Sequence, residues 1–256
     1  RKLGGITKGK APGYTGNGPD LYASLPDSWA VWAVRLANLI LFTQVTPHNW
    51  HIDLVHYVHK GGVDGSLSNH RPLALVEVFR KVVTSIVCDR LKRDFARLNI
   101  LDPTNPGFQT GRTTANSIFP LRIAGEHCLH TETELSALLD DLKWCFDTPA
   151  STVVELALRR LGVPMFYINM LNDNDLHSVK STVTANGNTV DIAGMIHRQL
   201  HGTGQGTVEG PINWIPVADI VIAVARARST QPVAMPLGKG GVLEADRAWF
   251  VDDATL

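Results

Sequence analysis

Two predicted strands that end at aspartates constrain the fold of this chain most. Residues 135–142 form an apolar run that reaches Asp141, and residues 243–251 form another that runs into Asp252 and Asp253. Adjacent aspartates beside a buried strand cost free energy unless a cation neutralises them. If the two strands lie side by side, their carboxylates converge on a site that suits Mg²⁺, which prefers hard oxygen ligands. An Asp-Asp pair alone is a weak signal, because such pairs are common in exposed turns.

Local patterns elsewhere predict helices and strands in no strict βαβ alternation. The predicted helices cover residues 29–42, capped by Asp27 or Ser28, then 77–98, 113–130, a segment capped by Thr148 with Pro149 in its first turn, and 210–228. The predicted strands cover residues 51–58 and 73–76, a hairpin around Asn186-Gly187, and the two runs that end at aspartates. This mixture favours an α+β fold over a doubly wound sheet.

The charge of the chain is balanced overall but uneven along its length. Residues 1–130 hold 15 Lys and Arg against 9 Asp and Glu, and residues 131–256 hold 9 against 15. Much of the positive charge falls on one predicted helix face, formed by Arg80, Lys81, Arg90, Lys92, Arg93 and Arg97. The asymmetry predicts a basic region for a polyanion, although an unevenly charged solvated surface explains the composition equally well.

Several other classes of protein are disfavoured. The three cysteines form no CxxC pair, and the cluster of His127, Cys128 and His130 lacks a second ligand pair at zinc spacing. The pairs His48/His51 and His56/His59 fall in a predicted loop and strand, so we expect no zinc site. The best apolar run, residues 29–42, is interrupted by Arg35 and Asn38, so we expect no membrane partner. The segment of residues 1–20 is rich in Gly, Lys and Pro and is typical of a linker.

Six short stretches carry a further pattern. They are residues 9–20, residues 69–73 (NHRPL) with Lys60 before them, residues 105–114 (NPGFQTGRTT), residues 141–147 (DLKWCFD), residues 204–211 (GQGTVEGP) and residues 250–253 (FVDD). In this order they resemble the motifs of reverse transcriptases, in particular those of non-LTR, LINE-like retrotransposons. Residues 141–147 are similar to motif A of that family, 204–211 to its Gln-Gly motif B, and 250–253 to its aromatic-x-Asp-Asp box.

The resemblance implies a role for each matching residue. Asp141, Asp252 and Asp253, with the backbone carbonyl of Leu142, would hold two Mg²⁺ ions, for which Mn²⁺ could substitute. Nucleotide binding would fall to Arg71, Lys60, Phe146, Gln205 and Gly206, with Phe146 excluding a 2′-hydroxyl. Arg112, Arg90, Lys92 and Arg93 would lie along the template backbone.

The resemblance also implies an architecture and partners. Residues 21–134 would form the fingers and residues 135–256 the palm of a right-hand polymerase, with an antiparallel palm sheet packed on helices and the thumb absent. The partners would be an RNA template, a DNA primer, dNTP and the endonuclease and thumb regions of a longer polyprotein, in an intracellular ribonucleoprotein of nucleus or cytoplasm. Without a thumb, the chain alone would be weak or inactive.

The sequence departs from the family pattern at some positions, and two alternatives stay open. Cys145 replaces a small alanine, His70 replaces an aromatic residue, and residues 207–211 replace a Ser-Pro-x-Ser-Pro stretch. One alternative is a mobile-intron type of reverse transcriptase. The other is a catalytically silent, polymerase-derived RNA-binding relic, in which these departures reflect relaxed constraint.

Overall fold

A computed structural model describes most of the chain. The described residues are 6–62, 69–135, 139–141, 145–146, 148–184, 187–188, 202, 206–228, 233–237, 241–245, 248–250 and 253–255. Its α-helices are α1 (Pro19–Ser24), α2 (Asp27–Thr43), α3 (Val78–Leu98), α4 (Ala115–His130), α5 (Ser151–Arg160), α6 (Met165–Leu176) and α7 (Gly210–Arg228). A 3-10 helix, His48–His51, precedes the first strand. The protein is therefore of the predicted α+β class.

Within the described residues, nine strands form three sheets. The strands are β1 (Ile52–His59), β2 (His70–Leu75), β3 (Leu139–Asp141), β4 (Val179–Thr184), β5 (Gly187–Asn188), β6 (Val233–Leu237), β7 (Gly241–Ala245), β8 (Ala248–Phe250) and β9 (Asp253–Thr255). The four-stranded sheet has the order β2-β1-β4-β5, the three-stranded sheet has the order β3-β9-β8, and β6 pairs with β7. The three-stranded sheet is antiparallel throughout, whereas the larger sheet contains the parallel pair β1–β4 and is mixed.

Most predicted helices are confirmed, but the helix starts differ from the prediction. Helix α2 begins at Asp27 behind Pro26, so neither Asp27 nor Ser28 is its cap. Helix α5 begins at Ser151, and its N-cap is Ala150, two residues after the predicted cap Thr148. Pro26 and Ala150 have extended backbone conformations, and neither side chain can accept a capping hydrogen bond. In both cases the backbone conformation of the preceding segment sets the start of the helix.

Helix α6 was not predicted from the sequence. Local patterns assigned no helix or strand to residues 165–176, which hold three asparagines and two aspartates. In the structure Pro164 is the N-cap of α6, and Ile168, Met170 and Leu171 are buried. Burial of one apolar face stabilises this helix despite its low intrinsic propensity, because tertiary packing supplies most helical stability in proteins.

The last predicted strand is divided in the structure. Residues 243–251 were predicted as one strand, but β7 ends at Ala245 and β8 covers Ala248–Phe250. The hairpin β4–β5 is confirmed, with Thr184 and Gly187 as register partners. The sequence also predicts a turn at residues 238–241, of which only Gly241 is described, and it begins β7. Residues 189–192, predicted as the outer part of the second hairpin strand, lie outside the described residues.

The chain folds into two compact units, each assembled from two separate segments. Unit 1 comprises Arg1–Leu91 and Phe146–Asn213, and unit 2 comprises Lys92–Cys145 and Trp214–Leu256. Val76, Val87, Leu158, Ile168 and Leu171 are fully buried in unit 1, whereas the buried side chains of unit 2 include Phe95, Ala124, Ile215, Ala218 and Ile222. The boundary between fingers and palm at residue 134 stays a prediction.

Helix α7 is long and apolar enough to span a membrane by length and composition alone. An 18-residue stretch of this helix has a mean hydropathy of 1.2, and 56% of that stretch is buried inside the protein. Asp219, near its middle, is buried and accepts a hydrogen bond from the backbone N of Asp102 at 2.7 Å. These features match a core helix, because its apolar side chains are covered by the protein itself.

The glycine-rich N-terminal segment packs against the start of α3. Thr15 donates two hydrogen bonds to the Glu77 carboxylate, from its backbone N at 2.7 Å and from its hydroxyl at 2.8 Å. A Cβ on Gly13 would lie 2.7 Å from the backbone N of Glu77, so only glycine allows this approach. The described part of residues 1–20 lacks regular structure before Pro19, and residues 13–15 are anchored. The assignment of residues 1–20 as a linker stays a prediction.

Candidate active site and nucleic-acid interface

The antiparallel sheet of unit 2 brings two of the predicted carboxylate positions together. Asp141, the last residue of β3, and Asp253, the first residue of β9, are direct register partners. Register partners in an antiparallel pair have Cα atoms roughly 4.5–5.5 Å apart. On the other side of β9, Phe250 of β8 is the register partner of Asp253. Asp252 and Leu142 lie outside the described residues.

This backbone arrangement fits a cation held between the strands. Two aspartate positions placed opposite each other concentrate negative charge, which is costly unless a cation neutralises it. Oxygen ligands of this kind suit Mg²⁺ or Mn²⁺. Asp141 and Asp253 are therefore the described residues that could hold such an ion, and the role of Asp252 stays a prediction.

The two predicted phosphate-binding cations lie at one end of the β1–β2 hairpin. Arg71 pairs with Val58, and the backbone N of Lys60 donates to the carbonyl of Asn69 at 2.8 Å. Both cationic side chains are exposed. An exposed guanidinium can donate two parallel hydrogen bonds to a phosphate, and an exposed ammonium adds a mobile positive charge.

Gly206, within the predicted motif B, packs closely against β2, the strand that carries Arg71. Its φ of +101° lies in the left-handed region. A Cβ there would lie 2.7 Å from Leu73 Cδ1 and 3.2 Å from the Ala74 carbonyl oxygen. Leu73 and Arg71 share a face of β2, because side chains alternate along a strand. Gly206 therefore lies on the face of β2 that carries Arg71, whereas Gln205 lies outside the described residues.

Cys145 and Phe146 lie within the predicted motif A, four and five residues after Asp141. Cys145 is 4% exposed and Phe146 is half-buried. The thiol therefore occupies a packed interior position at the place where the family has alanine. The predicted role of Phe146 beneath an incoming sugar stays a prediction.

Two of the four predicted nucleic-acid-binding residues line one cleft of unit 2. The cleft has a volume of about 180 Å³ and includes Lys92 from α3, Arg112 from the following loop, and the aromatic rings of Phe95 and Phe108. Phe108 is 38% exposed. Cations beside an exposed ring are suited to a nucleic-acid strand, since the cations contact phosphates and the ring can stack on a base. Arg90 and Arg93 are exposed on α3 but do not line the cleft.

A buried ionic cluster was missed at the sequence level. Arg80 is fully buried, not on the exposed basic face where it was predicted. Its Nη1 donates to Asp53 Oδ1 at 2.7 Å and to the Trp50 carbonyl at 2.7 Å, and its Nη2 donates to Glu209. Ser178 donates to the second oxygen of Asp53 at 3.0 Å. Burial raises the pKa of Asp53 above its ordinary value, and the Arg80 charge opposes that rise.

Helical spacing contained a clue to the position of Arg80. Val76, Arg80, Val83 and Val87 recur at intervals of three and four residues, and the three valines are buried. A charge in the middle of such a stripe lies on the buried face. Glu209, which departs from the family pattern of motif B, is 1% exposed and supplies one of its counter-charges.

The resemblance to reverse transcriptases receives no independent support from comparison with known proteins. No protein-family model matches the chain, and no curated protein matches it. Any functional assignment therefore depends on the motifs and on the geometry described above.

Proposed function

We propose that this chain is a fingers-and-palm portion of an RNA-directed DNA polymerase from a retrotransposon. The observation that carries the proposal is the register pairing of Asp141 with Asp253. These two positions are 112 residues apart in the numbering of the chain, and the resemblance to the reverse-transcriptase motifs implies that both bind metal.

The proposed reaction joins a dNTP to a primer 3′-hydroxyl and releases pyrophosphate. Mg²⁺ held by Asp141, Asp252 and Asp253 would supply positive charge for the hydroxyl and for the phosphates. Arg71 and Lys60 bind and orient the triphosphate, which is the main contribution of protein side chains to phosphoryl transfer.

The remaining residues of the proposal position the substrates. Phe146 would lie beneath the sugar and favour dNTP over rNTP. Gln205 and Gly206 would contact the nucleotide and the templating base pair. Lys92 and Arg112 would hold the template through its phosphates, contacts that position a strand without reading its sequence.

The direct test is dNTP incorporation on a primed RNA template with Mg²⁺ or Mn²⁺, using the chain within its full-length protein. We expect Asp141→Asn and Asp253→Asn each to lower incorporation by at least about 100-fold, because each removes charge worth several kcal/mol in a two-metal site. Asp94→Asn is the matched control, since Asp94 is 56% exposed on α3 and pairs with the exposed Arg97. Incorporation that survives both active-site substitutions would exclude the proposal.

A second candidate is an RNA-binding protein without catalytic activity. It is favoured by Glu209, because a motif B residue engaged in a buried ion pair serves the fold and not a nucleotide. The cleft with Lys92 and Arg112 also requires no metal ion. Tight RNA binding by a well-folded full-length protein that incorporates no dNTP would favour this candidate over the polymerase.

A further inference from the structure

A cluster of metal-ligating side chains lies at the start of the parallel strand pair in unit 1. It consists of His51, Asp173 and His177, and one ligand atom from each of the three lies within 4.8 Å of the others. His51 is the last residue of the 3-10 helix, Asp173 lies in α6, and His177 follows α6 directly. The proposed polymerase site uses none of these residues.

The backbone explains why the three side chains meet. Ile52 and Val179 are the first register partners of the parallel pair β1–β4. His51 immediately precedes Ile52, and His177 lies two residues before Val179, so the sheet fixes both histidines at the same edge. Asp173 lies one helical turn before His177, and residues four apart share a helix face. Sequence spacing could not reveal this set, because His51 and Asp173 are 122 residues apart.

Both imidazoles lie close to the Asp173 carboxylate, each beside a different oxygen. His51 Nε2 lies 3.4 Å from Asp173 Oδ2, and His177 Nδ1 lies 2.9 Å from Asp173 Oδ1. A tetrahedral ion with bonds of about 2.0–2.1 Å holds its ligand atoms roughly 3.3 Å apart. The centroids of the two imidazole rings are 5.3 Å apart, so the rings flank the carboxylate without blocking each other.

The surroundings orient the carboxylate in the way that outer-shell groups do at metal centres. Thr46 donates to Asp173 Oδ2 from its backbone N at 3.0 Å and from its hydroxyl at 2.6 Å. Hydrogen bonds of this kind to a ligand fix its orientation and are important for metal affinity. The same hydroxyl lies 2.7 Å from His51 Nε2, so an ion bound at that nitrogen would replace this contact. His51 and Asp173 are 15% and 18% exposed, and His177 is 51% exposed, so solvent reaches the cluster on one side.

We propose that His51, Asp173 and His177 bind a Zn²⁺-class divalent ion, with water in the fourth position, that fastens the end of α6 to the start of β1. Two imidazoles and one carboxylate favour a first-row transition ion over Mg²⁺ or Ca²⁺, which prefer sites made only of oxygen atoms. The ion stabilises unit 1 because the binding residues come together only in the folded chain.

The alternative is a hydrogen-bonded clamp that holds no metal, and a direct titration separates the two. Chelator-treated protein is titrated with Co²⁺, whose visible absorption reports tetrahedral coordination, and the bound ion is then displaced with Zn²⁺. We expect one ion per chain and a higher melting temperature when Zn²⁺ is added. A wild-type chain that takes up no Co²⁺ and gains no stability from Zn²⁺ overturns the proposal.

Two substitutions and one control assign the ligands. His51→Ala and His177→Ala should each weaken Co²⁺ binding by at least about tenfold, since even outer-shell losses cost that much. His177→Ala is the safer variant, because its half-exposed side chain leaves the fold intact. His130→Ala, which removes an exposed histidine at the end of α4, should leave binding unchanged. Full Co²⁺ affinity in folded His177→Ala protein contradicts the assignment.

Discussion

Individual side chains in this protein are most constrained where a charge is buried or a backbone approach is close. Arg80 satisfies Asp53 and Glu209 together, and these two carboxylates are 2% and 1% exposed. Removal of the cation would leave two buried negative charges without compensation. Gly206 is constrained by space and by backbone conformation. A side chain there would clash with β2, and its positive φ is unfavourable for any residue other than glycine.

At Arg80, substitution with methionine should lower the free energy of unfolding by about 3–5 kcal/mol, because an uncompensated buried charge remains. Chemical denaturation monitored by circular dichroism measures the change. Arg90→Met on the same helix removes an exposed cation and should change stability by less than about 0.5 kcal/mol. Equal effects of the two substitutions would show that the buried cluster contributes little.

At Gly206, substitution with alanine should cost about 1–3 kcal/mol, because the left-handed φ of +101° disfavours a side chain and Leu73 must move. Gly125 is the matched control, since it lies inside α4 with open space around its Cβ position. Gly125→Ala should stabilise the protein by about 0.5–1 kcal/mol. Thermal unfolding of both variants tests the opposite signs.

At the scale of elements, polar side chains fasten loops to helices. Asp102, at the start of the loop between α3 and α4, accepts hydrogen bonds from the Thr104 backbone N at 2.9 Å and hydroxyl at 2.7 Å. It also pairs with Arg226 of α7 at 2.5 Å. Burial alone would raise the pKa of Asp102, but the hydrogen bonds from Thr104 and the Arg226 pair together lower it below its ordinary value.

This depressed pKa predicts the pH dependence of stability. A carboxylate with a lower pKa in the folded state stabilises the protein above its unfolded pKa, and this contribution is lost as pH falls through the folded pKa. The wild type should therefore lose stability below about pH 4 more steeply than Asp102→Asn. Urea denaturation across that pH range measures the difference, and parallel pH profiles would contradict this role of Asp102.

At the scale of the whole molecule, the charge asymmetry of the sequence has a partial structural counterpart. Lys92 and Arg112 come together in one cleft, whereas Arg80 is removed from the basic surface by burial. The basic half of the sequence therefore contributes both a nucleic-acid-type cleft and an internal ion pair. Net charge alone could not distinguish these two uses of an arginine.

The cleft predicts salt-dependent RNA binding. The double substitution Lys92→Ala and Arg112→Ala should weaken RNA binding at all sequences and lower the salt slope by about 2, because each phosphate contact releases about one counterion. Arg97→Ala, which removes an arginine that is 71% exposed on α3, is the control. Fluorescence anisotropy over a salt series measures the slopes, and an unchanged slope in the double variant would exclude the cleft as the binding site.

The sequence by itself determined the α+β class, helices α2, α3, α4, α5 and α7, and the positions of β1 and the β4–β5 hairpin. These follow from periodicity and turn residues, which act over a few neighbouring positions. The same local reasoning missed α6, since its polar run is stabilised only by the burial of Ile168 and Leu171 in the folded unit.

Only the tertiary structure decided which distant residues meet. Arg80 and Glu209 are 129 residues apart, and no local pattern encodes their ion pair. The register of β3 with β9 and the meeting of His51 with Asp173 likewise depend on how strands pair across the chain. Periodicity specifies the face on which a residue lies, but burial and strand pairing select its partner, because these free energies depend on the whole folded unit.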